Sequence, residues 1–83
     1  MLFVACDKAV FLEPSYAQIR GTRAVTLWGL RRYQEALREI DIAIKLNPYI
    51  LELYYNKGTI LQKLHREQEA LDMFKKAARL KKY

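Results

Sequence analysis

The side chains that most often perform catalysis or bind metals are scarce in this sequence. It contains one histidine, His65, and one cysteine, Cys6, among 83 residues. A catalytic site needs a nucleophile with a base, paired carboxylates in a cleft, or a set of metal ligands. His65 falls in a predicted tight turn, and Cys6 takes a core position on a predicted helix, where a thiol packs as a small apolar group. We therefore expect a chain that is not an enzyme and that has no cofactor and no metal site.

The composition describes one small basic domain. Fifteen Lys and Arg residues against nine Asp and Glu residues give a formal net charge of +6, and 52% of the residues are hydrophobic. That apolar share favours a folded chain over a disordered one. The apolar start ends at Asp7, too early for a signal peptide, and no apolar stretch approaches the roughly 20 residues of a membrane helix. We expect a cytoplasmic protein without a membrane segment.

The chain repeats itself with a period of 34 residues. Pro14 and Pro48 are separated by that distance, and residues 30–37 (LRRYQEAL) align with residues 64–71 (LHREQEAL). Residues 7–14 match residues 41–48 at four positions, and both segments end in proline. A fixed period of this length indicates one supersecondary unit stacked on copies of itself.

Each period contains two helices. Apolar residues recur at helical spacing and predict helices over residues 17–30, 34–46, 51–64 and 67–80. Residues 1–12 have the pattern of a second helix whose partner would precede it. Pro48 is predicted to end the 34–46 helix, because proline lacks an amide hydrogen and disfavours the α conformation of Asn47. Turns of about three residues make the helices within a copy antiparallel neighbours. Ala24 and Gly58, equivalent in the two copies, are predicted to let helices approach closely.

The two copies resemble the tetratricopeptide repeat family. The marker residues are Ala24, Leu27, Tyr33, Ala36, Ile40, Ala43 and Pro48 in the first copy, and Tyr54, Gly58, Leu61, Ala70, Phe74 and Ala77 in the second. Leu2, Cys6, Ala9 and Pro14 fit the end of an earlier repeat. The resemblance implies an all-α, right-handed solenoid of antiparallel helix hairpins with five helices. Residues 1–14 would be the second helix of an incomplete repeat, and residues 15–48 and 49–83 full repeats. Together they form one domain, either complete or a fragment of a longer array.

The resemblance also implies a function and a site. It predicts a non-catalytic scaffold that binds a peptide or partner segment in a concave groove lined by the first helix of each repeat. The family's groove positions fall on Gln18, Gly21, Thr22, Val25 and Trp28 in the first copy, and on Glu52, Tyr55, Asn56, Thr59, Gln62 and Lys63 in the second. Trp28 and Tyr55 are the predicted anchors, since aromatic residues dominate interface energetics; the alternative is that Trp28 packs against a neighbouring copy.

One known groove chemistry of the family can be compared directly with this sequence. Some members bind the carboxylate end of chaperone tails with Lys, Asn and Arg on successive first helices. Asn56 matches one of these positions, but Gly21 and Val25 replace the Lys and Asn of the preceding copy. The sequence therefore argues against a chaperone-tail clamp.

Several charged residues depart from the family pattern. Arg20 and Arg23 replace an apolar pair on the first helix, and Arg31 and His65 replace the usual turn glycine. One hypothesis pairs Arg20 or Arg23 with Asp7 or Glu13, and the other leaves both guanidinium heads in water over apolar stems. The acidic residues Glu35, Glu39, Glu67 and Glu69 are interpreted as charges on the helix surface.

The sequence is also compatible with two other functions. Basic stretches at residues 20–32 and 75–82 would suit RNA or another acidic partner, although the small and aromatic markers fit the protein-binding family better. A short array also leaves apolar helix faces at its ends. These faces predict either further repeats in a longer protein or a homo-oligomer that pairs the open ends.

Overall fold

A computed structural model describes residues 16–81 of the chain. They form four α-helices: α1 (Tyr16–Gly29), α2 (Tyr33–Leu46), α3 (Leu51–Lys63) and α4 (Glu67–Lys81). The four helices predicted from apolar periodicity agree with these bounds to within one residue at each end. The all-helical fold is thus confirmed for this part of the chain, whereas the fifth helix, expected within residues 1–14, lies outside the described residues.

The helices pack as two hairpins that share one core. α1 packs against α2 and α3 against α4, and α3 also contacts both α2 and α1. The buried core therefore continues from one hairpin to the other. Its members are Ala17, Ala24, Ala36, Leu37, Ile40, Ala43, Leu53, Ile60, Leu61 and Ala70. Ile60 is completely buried. The apolar stripe that predicts this helix does not include Ile60; it consists of Leu53, Tyr54, Gly58, Leu61 and Leu64.

Both hairpin turns use the same backbone motif. The amide of Arg31 donates to the carbonyl of Trp28 at 2.8 Å, and the amide of Arg32 donates to the carbonyl of Leu27 at 2.9 Å. One period later the second turn repeats both hydrogen bonds. This Schellman pattern requires a left-handed residue directly after the C-cap residue of the helix, a position that favours glycine. Arg31 (φ 64°) and His65 (φ 61°) take that conformation here, so each carries a side chain where glycine would be unstrained.

An arginine–glutamate ion pair stands at the start of the second helix of each hairpin, at equivalent positions of the two repeats. Arg32 donates to both carboxylate oxygens of Glu35 at 2.7 and 2.5 Å, and Arg66 donates to both of Glu69 at 2.6 and 2.7 Å. These hydrogen bonds hold the pKa of each glutamate below, and that of each arginine above, its ordinary value. The pairs repeat at the 34-residue period, so they belong to the repeated unit.

The connection between the hairpins is built around Pro48. Asn47 is extended (φ −152°, ψ 100°), which confirms that the helix ends before the proline. The Asn47 side-chain oxygen accepts from the Tyr49 amide at 3.0 Å, and the buried Tyr54 hydroxyl donates to the Pro48 carbonyl at 2.6 Å. α3 is thereby attached to the loop that precedes it.

Gly58 has the packing role expected of it. A Cβ atom at this position would lie 2.6 Å from Cε1 of Phe74 and 2.9 Å from two further ring atoms. Real Cβ atoms do not approach carbon so closely. The phenylalanine ring of α4 therefore lies directly on the backbone of α3, and the absent side chain sets the spacing within the second hairpin.

Candidate functional site

A depression with a volume of about 390 Å³ lies between the two first helices, α1 and α3. We call it the groove. Its lining residues are Gln18, Gly21, Thr22, Val25, Ile50, Glu52, Leu53 and Asn56. The groove therefore brings together six of the predicted positions, four from α1 and two from α3: Gln18, Gly21, Thr22, Val25, Glu52 and Asn56.

The floor of the groove depends on a glycine. Gly21 is buried, and a Cβ atom there would lie 2.7 Å from Cδ2 of Leu53 on α3. Only a residue without a side chain lets α1 and α3 approach so closely. Ile50 and Leu53 make the floor apolar, whereas the rim carries polar side chains.

The rim offers mainly neutral polar groups. The Thr22 hydroxyl donates to the Gln18 carbonyl at 3.0 Å, which fixes its hydrogen and leaves its oxygen as an acceptor toward solvent. Asn56 is half-buried and supplies an amide, with both a donor and an acceptor. Among the residues that line the groove, Glu52 carries the one formal charge. The lining thus consists of neutral polar groups, apolar side chains and one carboxylate.

The remaining predicted site residues lie outside this lining. Trp28 is half-buried and packs against the core. Thr59 donates its hydroxyl to the Tyr55 carbonyl at 3.1 Å. Gln62 borders a separate depression between α3 and α4, and Lys63 is exposed at the end of α3.

Tyr55 is the most exposed aromatic of the predicted set. Its side chain is 58% exposed, and its ring centroid lies 5.4 Å from that of Phe74 with the planes tilted by 55°. This contact directs Tyr55 toward α4 and away from the lining of the groove. It lines a different depression, on the second hairpin.

The two arginines that break the apolar pattern of α1 are paired across the first hairpin. Arg20 Nη1 donates to both carboxylate oxygens of Glu39 on α2, at 3.0 and 3.3 Å, and Arg23 Nη1 lies 3.7 Å from the same group. The Glu39 side chain is only 17% exposed. The interpretation of Glu39 as a helix-surface charge therefore missed its pairing with α1. The partners proposed from the sequence, Asp7 and Glu13, lie outside the described residues.

The internal repeat contains the signal that could have identified this pair. One period after Arg20 stands Tyr54, and one period after Glu39 stands Met73. Both positions are thus charged in the first copy and apolar in the second. A paired change of this kind indicates that the two side chains face each other.

Residues 16–81 contain neither a metal site nor a membrane-spanning helix. No group of three or more His, Cys, Asp or Glu side chains in this range could hold a metal ion. None of the four helices has both the length and the apolar character needed to cross a membrane.

Comparison with known proteins identifies the second hairpin. The chain is 32% identical over 68 residues to Protein DIA2 of Eremothecium gossypii, an alignment that covers 82% of this chain and 10% of that protein. This chain thus spans about one tenth of the length of the curated relative it matches. No solved structure gives a significant match. Residues 51–83 match the family model of the tetratricopeptide repeat, whose members generally mediate protein–protein interaction. The second hairpin is therefore a tetratricopeptide repeat, which confirms the family predicted from the sequence.

Proposed function

We propose that this chain is a non-enzymatic scaffold that binds an extended segment of a partner protein in the groove between α1 and α3. The observation that carries the proposal is the groove itself, with its apolar floor of Ile50 and Leu53 and its polar rim. An extended peptide can insert a side chain over such a floor while rim amides bond to its backbone. The proposed architecture is a right-handed solenoid with full repeats over residues 15–48 and 49–83. The cytoplasmic location stays a prediction.

The charges of the groove favour a protein ligand over RNA. Single-stranded nucleic acid needs cations along its backbone and aromatic faces for its bases. The lining instead contains Glu52 and neutral residues. The arginines of α1 that contributed to the predicted basic stretch are engaged with Glu39. The proposed ligand therefore carries no anionic group at the groove, and a basic side chain near Glu52 would suit it.

Selected peptides and variants with substituted rim residues together test whether the groove is the binding site. A peptide display library is selected on the wild-type domain, and the bound sequences are measured by fluorescence anisotropy. Val25→Lys places a long charged chain at the rim, and Asn56→Ala removes its amide. We expect the first to weaken binding by more than tenfold and the second by about fivefold, as expected for loss of one interface hydrogen bond of about 1 kcal/mol.

The control is Arg38→Ala, an exposed change on α2 that does not line the groove. It should leave affinity unchanged, while circular dichroism shows that all variants remain folded. Selected peptides that bind the Val25→Lys variant as tightly as the wild type would refute the groove assignment. Separate Trp28→Ala and Tyr55→Ala variants test whether the predicted anchors contact the peptide.

A further inference from the structure

The polar side chains of the groove come in two pairs, each with one member from each repeat. Gln18 and Glu52 are separated by the 34-residue period, and so are Thr22 and Asn56. On each helix the two residues are four positions apart, so they lie on one face of that helix. The groove therefore has polar groups from both helices at two successive levels, beside its apolar floor.

Hydrogen-bond acceptors predominate among these polar groups. The Thr22 hydroxyl donates its hydrogen to the Gln18 carbonyl at 3.0 Å, so toward a ligand its oxygen can only accept. The Glu52 carboxylate has two acceptor oxygens and no donor, and Asn56 adds an amide oxygen beside its NH₂ group. Among residues 16–81, no Lys, Arg or His side chain lines the groove. A cationic group that donates several hydrogen bonds complements this set.

The carboxylate of Glu52 has no cation beside it in the part of the chain that the structure describes. Four other acidic residues of that part each pair with an Arg or Lys side chain, namely Glu35, Glu39, Asp41 and Glu69. The chain has fifteen Lys and Arg residues for nine acidic ones, so cations are not scarce. The charge of Glu52 is therefore accessible to a ligand in the groove.

The position of Glu52 also has a local structural explanation. It lies in the first turn of α3, where a carboxylate interacts favourably with the helix dipole. Glu67 lies in the first turn of α4 and forms no ion pair within residues 16–81 either. The two glutamates differ in surroundings, because Glu67 does not line the groove. Glu67 is therefore a matched control for any role of Glu52 beyond helix stability.

Arginine is the side chain that best matches these acceptors. Its planar guanidinium has five N–H donors and can bind a carboxylate through two parallel hydrogen bonds, whereas lysine is a compact, strongly hydrated point charge. The chain contains this geometry in its own ion pairs, since Arg32 and Arg66 each donate to both oxygens of a glutamate. A guanidinium paired in this way keeps further N–H groups for neighbouring acceptors.

We propose that the groove selects an extended partner segment that carries an arginine, an inference that rests on the proposed function of the groove. The guanidinium pairs with Glu52 and donates its other hydrogens to Thr22 and Asn56, while its aliphatic stem lies along Val25 and Leu53. Glu52 is thus the specificity-determining residue. The groove volume of about 390 Å³ is near the lower end of the range for binding pockets, about 300–1,000 Å³, which suits one inserted side chain.

Peptide display on matched variants tests the preference for arginine. One library of random linear peptides is selected in parallel on the wild type, Glu52→Gln, Glu52→Lys and Glu67→Gln, and circular dichroism shows that each is folded. We expect arginine to be enriched at one position of the peptides selected on the wild type and on Glu67→Gln. The enrichment should disappear with Glu52→Gln. Glu52→Lys should favour an acidic residue there, because the charge of the groove is reversed.

A double-mutant cycle with one selected peptide measures the contact. Its arginine is replaced by glutamine or lysine, and affinities are measured by fluorescence anisotropy. On the wild type and on Glu67→Gln, the glutamine peptide should bind about five- to tenfold more weakly and the lysine peptide about threefold. On Glu52→Gln, replacing arginine by glutamine should change affinity by less than about twofold. The preference should shrink at high salt.

Two further variants locate the arginine in the groove. Glu52 also lines the depression that contains Tyr55, whereas Thr22 lines only the groove and Ala78 only that other depression. Thr22→Val keeps the shape of the side chain but removes its acceptor oxygen, and should weaken the arginine peptide about threefold. Ala78→Gln should leave its affinity unchanged. The opposite pattern would overturn the assignment of the arginine to the groove.

Several results would overturn this proposal and leave the groove as a binding site. They are peptides that Val25→Lys weakens but that show no enrichment of arginine, a preference that Glu52→Gln leaves intact, or lysine and arginine peptides of equal affinity. Enrichment of acidic residues on the wild type would assign the groove to an acidic partner instead. If no peptide binds, or if Val25→Lys leaves binding unchanged, the proposed function fails together with this proposal.

Discussion

Replacing Glu39 with methionine removes the carboxylate that pairs with two arginines of α1. Methionine is the residue at the equivalent position of the second hairpin, Met73, so its size fits a hairpin of this kind. The variant leaves the Arg20 guanidinium partly buried against α2 with no carboxylate at 3.0 Å. We expect the free energy of unfolding to fall, because a partly desolvated charge loses its partner.

The magnitude follows from the exposure of the two side chains. Fully exposed ion pairs contribute about 0.2–1 kcal/mol, and removing one partner of a fully buried pair costs about 3–5 kcal/mol. Glu39 is 17% exposed, but Arg20 is 38% exposed and can turn its head to water. The loss should therefore lie between these two ranges and closer to the lower one, at about 1–2 kcal/mol.

A double-mutant cycle separates the pair from the general effect of each change. Arg20→Tyr with Glu39→Met copies Tyr54 and Met73 of the second hairpin into the first. This double variant should regain the wild-type stability to within about 0.5 kcal/mol, so the coupling energy should be at least as large as the loss in Glu39→Met, about 1–2 kcal/mol. Urea unfolding followed by far-UV circular dichroism measures all four proteins. A coupling energy near zero, or a Glu39→Met variant as stable as the wild type, would refute the reasoning.

Three further changes test the packing, a turn and a hydrogen bond. Gly58→Ala should lower stability by about 1–2 kcal/mol in thermal unfolding, because overpacking against Phe74 outweighs the better helix propensity of alanine. His65→Gly should raise it by about 0.5–1 kcal/mol, because glycine relieves the left-handed strain at some entropic cost. Tyr54→Phe removes the hydrogen bond to Pro48 and should cost about 1 kcal/mol at pH 7. Burial raises the pKa of Tyr54 above its ordinary value of about 10. The stability that this hydroxyl gives the wild type is therefore lost as the pH rises above about 10, whereas the Tyr54→Phe variant has no such contribution to lose.

Each of these changes has a matched control or a contrary outcome. Gly29→Ala has no neighbour within 4 Å of its added Cβ and should not destabilise the protein. Arg31→Gly should reproduce the gain of His65→Gly, since both turns share one geometry. A neutral Gly58→Ala, a loss of stability in His65→Gly, or parallel alkaline unfolding of the Tyr54→Phe variant and the wild type would contradict the respective arguments.

Features that depend on local sequence could be predicted, and those that depend on register between helices could not. Pro48 ends its helix through its own covalent structure, and Gly58 indicated a close contact because glycine is costly within a helix. Glu39 was misjudged because its partners are fixed by how α1 and α2 align. Ile60 was missed because α3 contacts three helices and therefore needs a wider apolar arc than one stripe.

In the groove, too, one part could be predicted from local sequence and another depends on contacts between helices. Equivalent positions of the first helices identified the face that lines it, since that face follows from helix periodicity alone. Periodicity does not give the direction in which a large ring turns within its face. Trp28 turns onto the core and Tyr55 onto Phe74, and both contacts depend on neighbours that are distant along the chain.

The position of the groove has a mechanical consequence. It lies where α1 of one hairpin meets α3 of the next, and contacts between the hairpins are fewer than contacts within either of them. Thermal bending therefore concentrates at this joint, and each small rotation of one hairpin against the other widens or narrows the groove. A ligand held there would stiffen the joint, so binding would change the flexibility of any longer array in which these two hairpins are consecutive links.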